Sequence, residues 1–268
     1  GVSISTLNNP FFVSLEQGIT DLADEQDTTV KSVDAQDDTA KQTNDIDDLI
    51  QQGVDILLIN PVDSAAITPA VESANAAGIP VITIDRSSDG GEIVTLVASD
   101  NVEGGEMAAK YIEEISGTDA NTVQLEGVPG ASATRERGEG FTNIAEESLN
   151  VVDSQTANFD RAEGLTVMEN MLQANPDIQA VFAQNDEMAL GAIEAIQSAG
   201  KTGEIQVVGF DGTEDGIKAV EAGTLSATVA QQPGEMGKLA MQAAFDYFAG
   251  ETIEEYIASP LELVTSEE

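Results

Sequence analysis

The stretch from Ile56 to Arg86 reads ILLINPVDSAAITPAVESANAAGIPVITIDR, and the stretch from Ile178 to Gly212 reads IQAVFAQNDEMALGAIEAIQSAGKTGEIQVVGFDG. Each opens with an apolar run ending in Asn (Asn60, Asn185) and continues with an Ala- and Glu-rich segment of helical length. Each then stops at Ala-Gly and closes with an apolar run ending in Asp (Asp85, Asp211). Asn and Asp stand 25 residues apart in the first copy and 26 in the second. Short apolar runs alternating with helix-length segments are βαβ units, whose parallel strands are covered on both faces. Two copies of one such unit imply two similar halves.

The same alternation runs outward from both copies. Strands are predicted near 2–7, 29–34, 56–60, 81–85, 94–98, 122–126, 150–156, 180–184, 206–210 and 226–230. Helices are predicted near 11–25, 39–52, 64–77, 102–116, 132–147, 161–174, 186–199, 214–222 and 233–249. Such a count fits two doubly wound α/β domains better than one. In open parallel sheets, ligands sit outside the carboxyl ends of the strands. Each half is thus expected to present one carboxamide and one carboxylate at its binding edge. Neutral polyols suit four such groups converging on a cleft, because amides and carboxylates make several hydrogen bonds at fixed angles. The competing reading is that each Asn or Asp caps the helix that follows it.

Composition narrows the function classes. The 268 residues carry 49 Asp and Glu against 10 Lys and Arg, a net charge of −39. Nucleic acid and anionic membranes would be repelled by that surface. Apolar residues make up 41% of the chain, recurring in closed runs, which describes a folded core under an acidic coat. The acids are spread evenly, which speaks against an acidic tail. A high-salt environment, where the Debye length is about 3 Å at 1 M, is the economical explanation for tolerating them. With no Cys and no His, disulfides, thiolate nucleophiles, Ser–His chemistry and the commonest metal ligand are all absent. No apolar run reaches the roughly 18 residues of a membrane span. The chain opens at Gly1 already within a strand-like stretch, so an export segment is expected to have been removed.

Scarcity makes the four Arg residues informative. Arg86 directly follows the strand-end Asp85, and Arg137 lies where a Gly- and Ser-containing loop runs into a helix. Both are expected at the binding edge, where a guanidinium fork serves hydroxyls in pairs. Arg135 and Arg161 are expected in ion pairs with neighbouring acids. Phe11-Phe12, after Asn8-Asn9-Pro10, and Phe159, in Asn158-Phe159-Asp160, stand where rings could cover the C–H faces of a sugar. Each could equally be a core residue. The run Gly127-Val128-Pro129-Gly130 matches no nucleotide fingerprint. Asp211 to Gly216 lacks the spacing of a calcium loop and reads as a turn with a helix cap. Among so many acids, a glycosidase pair cannot be picked out.

Seven runs carry a resemblance: Ser5-Thr6-Leu7-Asn8-Asn9-Pro10-Phe11-Phe12, Leu57 to Pro61, Ile84-Asp85-Arg86, Ala98 to Asn101, Arg135 to Phe141, Ala183 to Gly191 and Val208 to Gly212. Across nearly its whole length the sequence resembles the type I periplasmic sugar-binding proteins, their D-ribose-binding members in particular. That resemblance implies two Rossmann-like lobes joined by a three-stranded hinge, residues 1–100 plus 232–260 and residues 101–231 plus 261–268. It implies an extracytoplasmic, monomeric receptor that binds D-ribose without a cofactor or metal and without catalysing a reaction. It would deliver the sugar to the membrane permease of an ABC importer, and a chemoreceptor is a further partner the family allows. Carried over, the ligand contacts fall on Asn9, Phe11, Phe12, Asn60, Asp85 and Arg86 in the first lobe. In the second they fall on Arg137, Phe159, Asn185, Phe210, Asp211 and Gln231. Val128 stands where the family pattern leads one to expect Ile, and acidic or small residues replace most of its surface Lys. The alternatives are a receptor for allose or a furanosyl signal molecule, and the sensor core of a lactose-repressor-type regulator. The last would need a helix-turn-helix before the first strand.

Overall fold

The computed structural model describes residues 1–266. The chain begins β1 (Val2–Ile4), α1 (Pro10–Glu25), β2 (Ser32–Asp34), α2 (Thr39–Gln51), β3 (Leu57–Ile59), α3 (Thr68–Ala76), β4 (Val81–Ile84) and β5 (Thr95–Ser99). It continues with α4 (Asn101–Ser116), β6 (Ala120–Glu126), α5 (Ser132–Ser148), β7 (Leu149–Thr156), α6 (Arg161–Ala174) and β8 (Ala180–Ala183). Then come α7 (Asp186–Ser198), β9 (Gln206–Asp211), α8 (Glu214–Glu221), β10 (Ala227–Ala230), α9 (Pro233–Ala249), β11 (Tyr256–Ser259) and β12 (Glu262–Thr265).

Two units result. The first comprises Gly1–Ser99, Gly130–Ser132 and Gln232–Ser259; the second comprises Asp100–Pro129, Ala133–Gln231 and the chain from Pro260. Each holds one six-stranded sheet, in the orders β11-β5-β4-β3-β1-β2 and β12-β10-β9-β8-β6-β7. The first sheet is wholly parallel, and the second is parallel except for β12, which runs against β10. The repeated stretches occupy matching places: β3 and β4 lie in one sheet where β8 and β9 lie in the other. These strands are buried along almost their whole length, as parallel strands with helices on both faces must be.

Helices start where a polar side chain takes over an orphan backbone N–H. Asn9, Asp38, Asp100, Asp160, Asn185 and Thr213 cap α1, α2, α4, α6, α7 and α8 in this way. Helices α1 and α9 gain a Pro in their first turn, where its missing N–H costs nothing. All nine predicted helices are present, but α3 starts later than its pattern suggests. The carboxylate of Asp63 accepts from Ala65 N and Ala66 N and folds that segment into a turn. The strand expected from residue 29 starts at Ser32. Strands β11 and β12 were not anticipated; both are sheet edges of mixed polarity with mostly exposed or half-buried residues. Among the described residues, no helix is long and apolar enough to cross a membrane.

Candidate functional site

In the first unit, polar side chains tie the carboxyl ends of three neighbouring strands together. Asn60, just past β3, accepts from Ser5 N at 3.1 Å and donates to Ile84 O at 3.1 Å and Asp85 Oδ2 at 3.4 Å. Its carboxamide therefore holds β1, β3 and β4 in register and caps no helix. Asp85 has φ 65°, a left-handed conformation that Asp tolerates better than most residues but that is sparsely populated and found often at functional sites. Arg86 is buried with it. Its Nη1 donates to Pro61 O at 3.0 Å, its Nε lies 3.5 Å from Asp85 Oδ2, and its guanidinium sits 5.1 Å from the Phe12 ring centroid. Phe12 meets Phe11 edge-on, with centroids 5.2 Å apart. Asn9 accepts from Phe11 N at 2.9 Å and so sets where those rings begin.

The second unit builds a comparable edge around Arg137. The guanidinium donates from Nε to Asn101 Oδ1 at 2.9 Å and from Nη1 to Gln184 O at 2.6 Å, and Nη1 lies 3.4 Å from Asp211 Oδ1. It lies 3.8 Å from the centroid of Phe210 and 5.7 Å from that of Phe159. Phe210 is wholly buried on β9, so its ring forms the floor under Arg137. Phe159 holds φ 61°, unusual for a bulky residue, and Asn185 Nδ2 donates to its carbonyl at 3.1 Å. Asn185 also caps α7 by accepting from Met188 N. Asp211, with φ 109°, accepts from Gln231 Nε2 at 2.8 Å. Gln231 Oε1 is buried with no hydrogen-bond partner among the described residues.

The twelve side chains singled out from sequence thus form two clusters, six to a unit. Helix capping accounts for Asn185 and Asn9 in part, but not for Asn60, Asp85 or Asp211. Arg161 lies apart, a third exposed, donating from Nε and Nη2 to the Glu187 carboxylate at 2.9 and 2.8 Å and from Nη2 to Asp215 at 3.3 Å. Among the described residues the buried ionisable side chains are Asp85, Arg86, Arg137, Asp186 and Asp211. Four of these five belong to the two clusters. Each cluster pairs one carboxylate with one guanidinium and carries no net charge.

Four residues that hydrogen-bond to or beside these clusters were missed from sequence. Gln42 on α2 donates to Ser3 Oγ and Asn60 O and accepts from Val62 N. Gln184 accepts from Gly127 N and donates to Thr134 O. Asn101 accepts from Arg137 Nε, and Asp186, next in sequence to Asn185, is wholly buried. Gln42 had a readable signal, since it shares the buried face of α2 with Ile46 and Leu49, a place for apolar residues. Among the described residues, no group of His, Cys, Asp and Glu could hold a metal ion.

A family model for the periplasmic binding protein domain matches residues 1–252. The chain belongs to this family. Two α/β units with these sheet orders, joined by three main passages of the chain near residues 99, 231 and 259, are the fold of type I periplasmic binding proteins. Among relatives, the chain is 61% identical to a ribose import binding protein of Bacillus subtilis, over 99% of this chain and 86% of that protein. It is 50% identical to the ribose import binding protein of Escherichia coli, over 98% and 89%. A solved ABC transporter solute binding protein from Mycobacterium smegmatis with bound glycerol aligns at a TM-score of 0.95. The two share 33% identity over 100% of this chain and 94% of that one. Another from Actinobacillus succinogenes, with bound D-allose, aligns at 0.92 with 32% identity, over 99% and 96%.

Proposed function

We propose that this periplasmic binding protein is an extracytoplasmic receptor for D-ribose that hands the sugar to the permease of an ABC importer, and that it catalyses no reaction. The observation that carries the reading is the pairing in each cluster of a buried carboxylate with a buried guanidinium, Asp85 with Arg86 and Asp211 with Arg137. Charged groups make the strongest hydrogen bonds to hydroxyls. Because each pair sums to zero charge, a neutral ligand leaves no buried charge uncompensated, whereas an ionic ligand would. Phe11, Phe12 and Phe159 supply apolar faces for the C–H side of a sugar ring. Asn9, Asn185 and Gln231 complete the polar set. Asn60 and Phe210 act behind it, holding Asp85 and Arg137.

Ribose is favoured over other sugars because the ribose import binding proteins are 48–61% identical to this chain, and the D-allose-binding protein of Escherichia coli 34%. Calorimetric titration with D-ribose, D-allose, myo-inositol and ribose 5-phosphate tests the assignment. One ribose per chain, bound more tightly than the other neutral polyols, with no binding of the phosphate ester, is the expected result. A tighter fit for allose or inositol would reassign the ligand. Binding of the anionic ester at comparable strength would refute the charge argument.

A further inference from the structure

Of the five buried charges among the described residues, Asp186 is the one that belongs to neither cluster. Its carboxylate is wholly enclosed at the first turn of α7. Oδ2 accepts from Thr213 N at 2.8 Å and from Thr213 Oγ1 at 3.1 Å, and Oδ1 accepts from Thr228 Oγ1 at 2.7 Å. Two glycines let the surrounding chain approach this group closely. A Cβ on Gly209 would lie 2.4 Å from Oδ1, and one on Gly216 would lie 2.1 Å from Oδ2. One carboxylate therefore fastens α7, the turn between β9 and α8, and β10 to one another.

The fastened atoms bracket the sugar-binding residues. Thr213 is two residues past Asp211, and Thr228 Oγ1 also accepts from Gly212 N at 3.2 Å. With residues 212 and 213 held, Asp211 takes up φ 109°, and its Oδ1 meets Arg137 and Gln231. Asn185 immediately precedes Asp186 and grips Phe159 O. Burial opposes the charged form and raises the Asp186 carboxyl to about 6, against the pull of its bonds to Thr228 and Thr213. A neutral side chain of the same shape would relieve that cost, so a role in stability alone does not explain a carboxylate here.

We infer that Asp186 is a positioning residue for the sugar, holding Asp211 and Asn185 in binding geometry through Thr213, Gly212 and Thr228 without touching the ligand. This rests on the ribose reading above. The test uses the isosteric Asp186→Asn variant, which keeps an acceptor for Thr213 N but reverses one of the bonds to the threonine hydroxyls. Wild-type, Asp186→Asn, Asp211→Asn and the double variant are titrated with D-ribose, and their melting is recorded without ligand. Asp186→Asn should melt no lower than wild type at neutral pH and yet bind ribose about tenfold or more weakly. The loss in the double variant should fall well short of the product of the single losses, because Asp186 acts through Asp211. Unchanged ribose affinity in a folded Asp186→Asn protein overturns the inference, as does a fully multiplicative double loss. If Asp186→Asn fails to fold, Thr228→Val carries the same test. A severalfold loss of affinity is expected there, since both Asp186 Oδ1 and Gly212 N lose their partner, and wild-type affinity would overturn the inference. A wild-type protein that binds no ribose removes the sugar reading itself, a failure visible before any substitution is compared.

Discussion

Replacing Arg137 by Ala removes the centre of the second cluster. The guanidinium is buried and makes bonds to Asn101 and Gln184 O, an ion pair with Asp211 and a face contact with Phe210. Bonds of an ionised donor to sugar hydroxyls are worth about 1.5–3 kcal/mol, so ribose affinity should fall about ten- to a hundredfold. Breaking a buried ion pair costs about 3–5 kcal/mol of stability, so the variant should also melt lower. Arg137→Lys keeps a charge beside Asp211 without the planar fork, and should fall between wild type and Arg137→Ala on both counts. Arg161→Ala is the control. That side chain is a third exposed in its ion pairs with Glu187 and Asp215, worth about 0–1 kcal/mol to stability, and its loss should leave ribose binding unchanged. Calorimetric titration below each variant's melting transition separates affinity from folding. Equal losses of affinity for Arg137→Ala and Arg161→Ala would refute the assignment of Arg137 to the sugar.

Three further outcomes are expected. A Cβ at Gly127 would lie 2.0 Å from Phe159 Cζ, so Gly127→Ala should cost about 1–3 kcal/mol by overpacking and weaken ribose binding by displacing the ring; wild-type affinity with a wild-type melt would show that the ring has room to move. Asp186 has its carboxyl raised by burial from 3.8 to about 6, with Glu187 adding to the rise, so the stability it carries is fully present below about pH 4 and lost as pH climbs through about 6. Asp186→Asn does not titrate, and its melting advantage should widen over that window by up to about 3 kcal/mol; a gap that stays constant with pH would contradict the burial argument. With a net charge of −39, repulsion weighs more on the compact state than on the expanded chain, so melting should rise from about 0.1 to 2 M KCl while affinity for the neutral ribose changes far less. A flat melting curve would sink the high-salt reading and leave the sugar site untouched.

The central strands were legible because burial on both faces demands continuous apolar runs, and Leu57–Ile59 and Ala180–Ala183 hold nothing else. Strands β11 and β12 were not, because an edge strand gains its place from the neighbour it pairs with, and Tyr-Ile-Ala-Ser and Glu-Leu-Val-Thr carry no pattern of their own. The clusters followed the same division. Asn60, Asp85, Asn185 and Asp211 were visible through the repeat, since a strand end in a parallel sheet is a defined place. Their tasks were not visible: Asn60 and Asp85 have the same residue types as Asn185 and Asp211, yet Asn60 ties strand ends while Asn185 caps a helix. Asp186 was hidden among 49 acids, because only the fold decides which acid is enclosed.

The order in which the strands are laid down bears on how this chain is made. Residues 256–259 finish the first sheet against β5, and residues 262–265 finish the second against β10, so ten consecutive residues complete both. During synthesis the first unit must wait, through most of the second, for α9 and β11. An unfinished sheet presents an open edge to other chains. Until residues 256–265 have been made, each sheet lacks one of its edge strands, and β5 and β10 each stand without one of the neighbours they pair with.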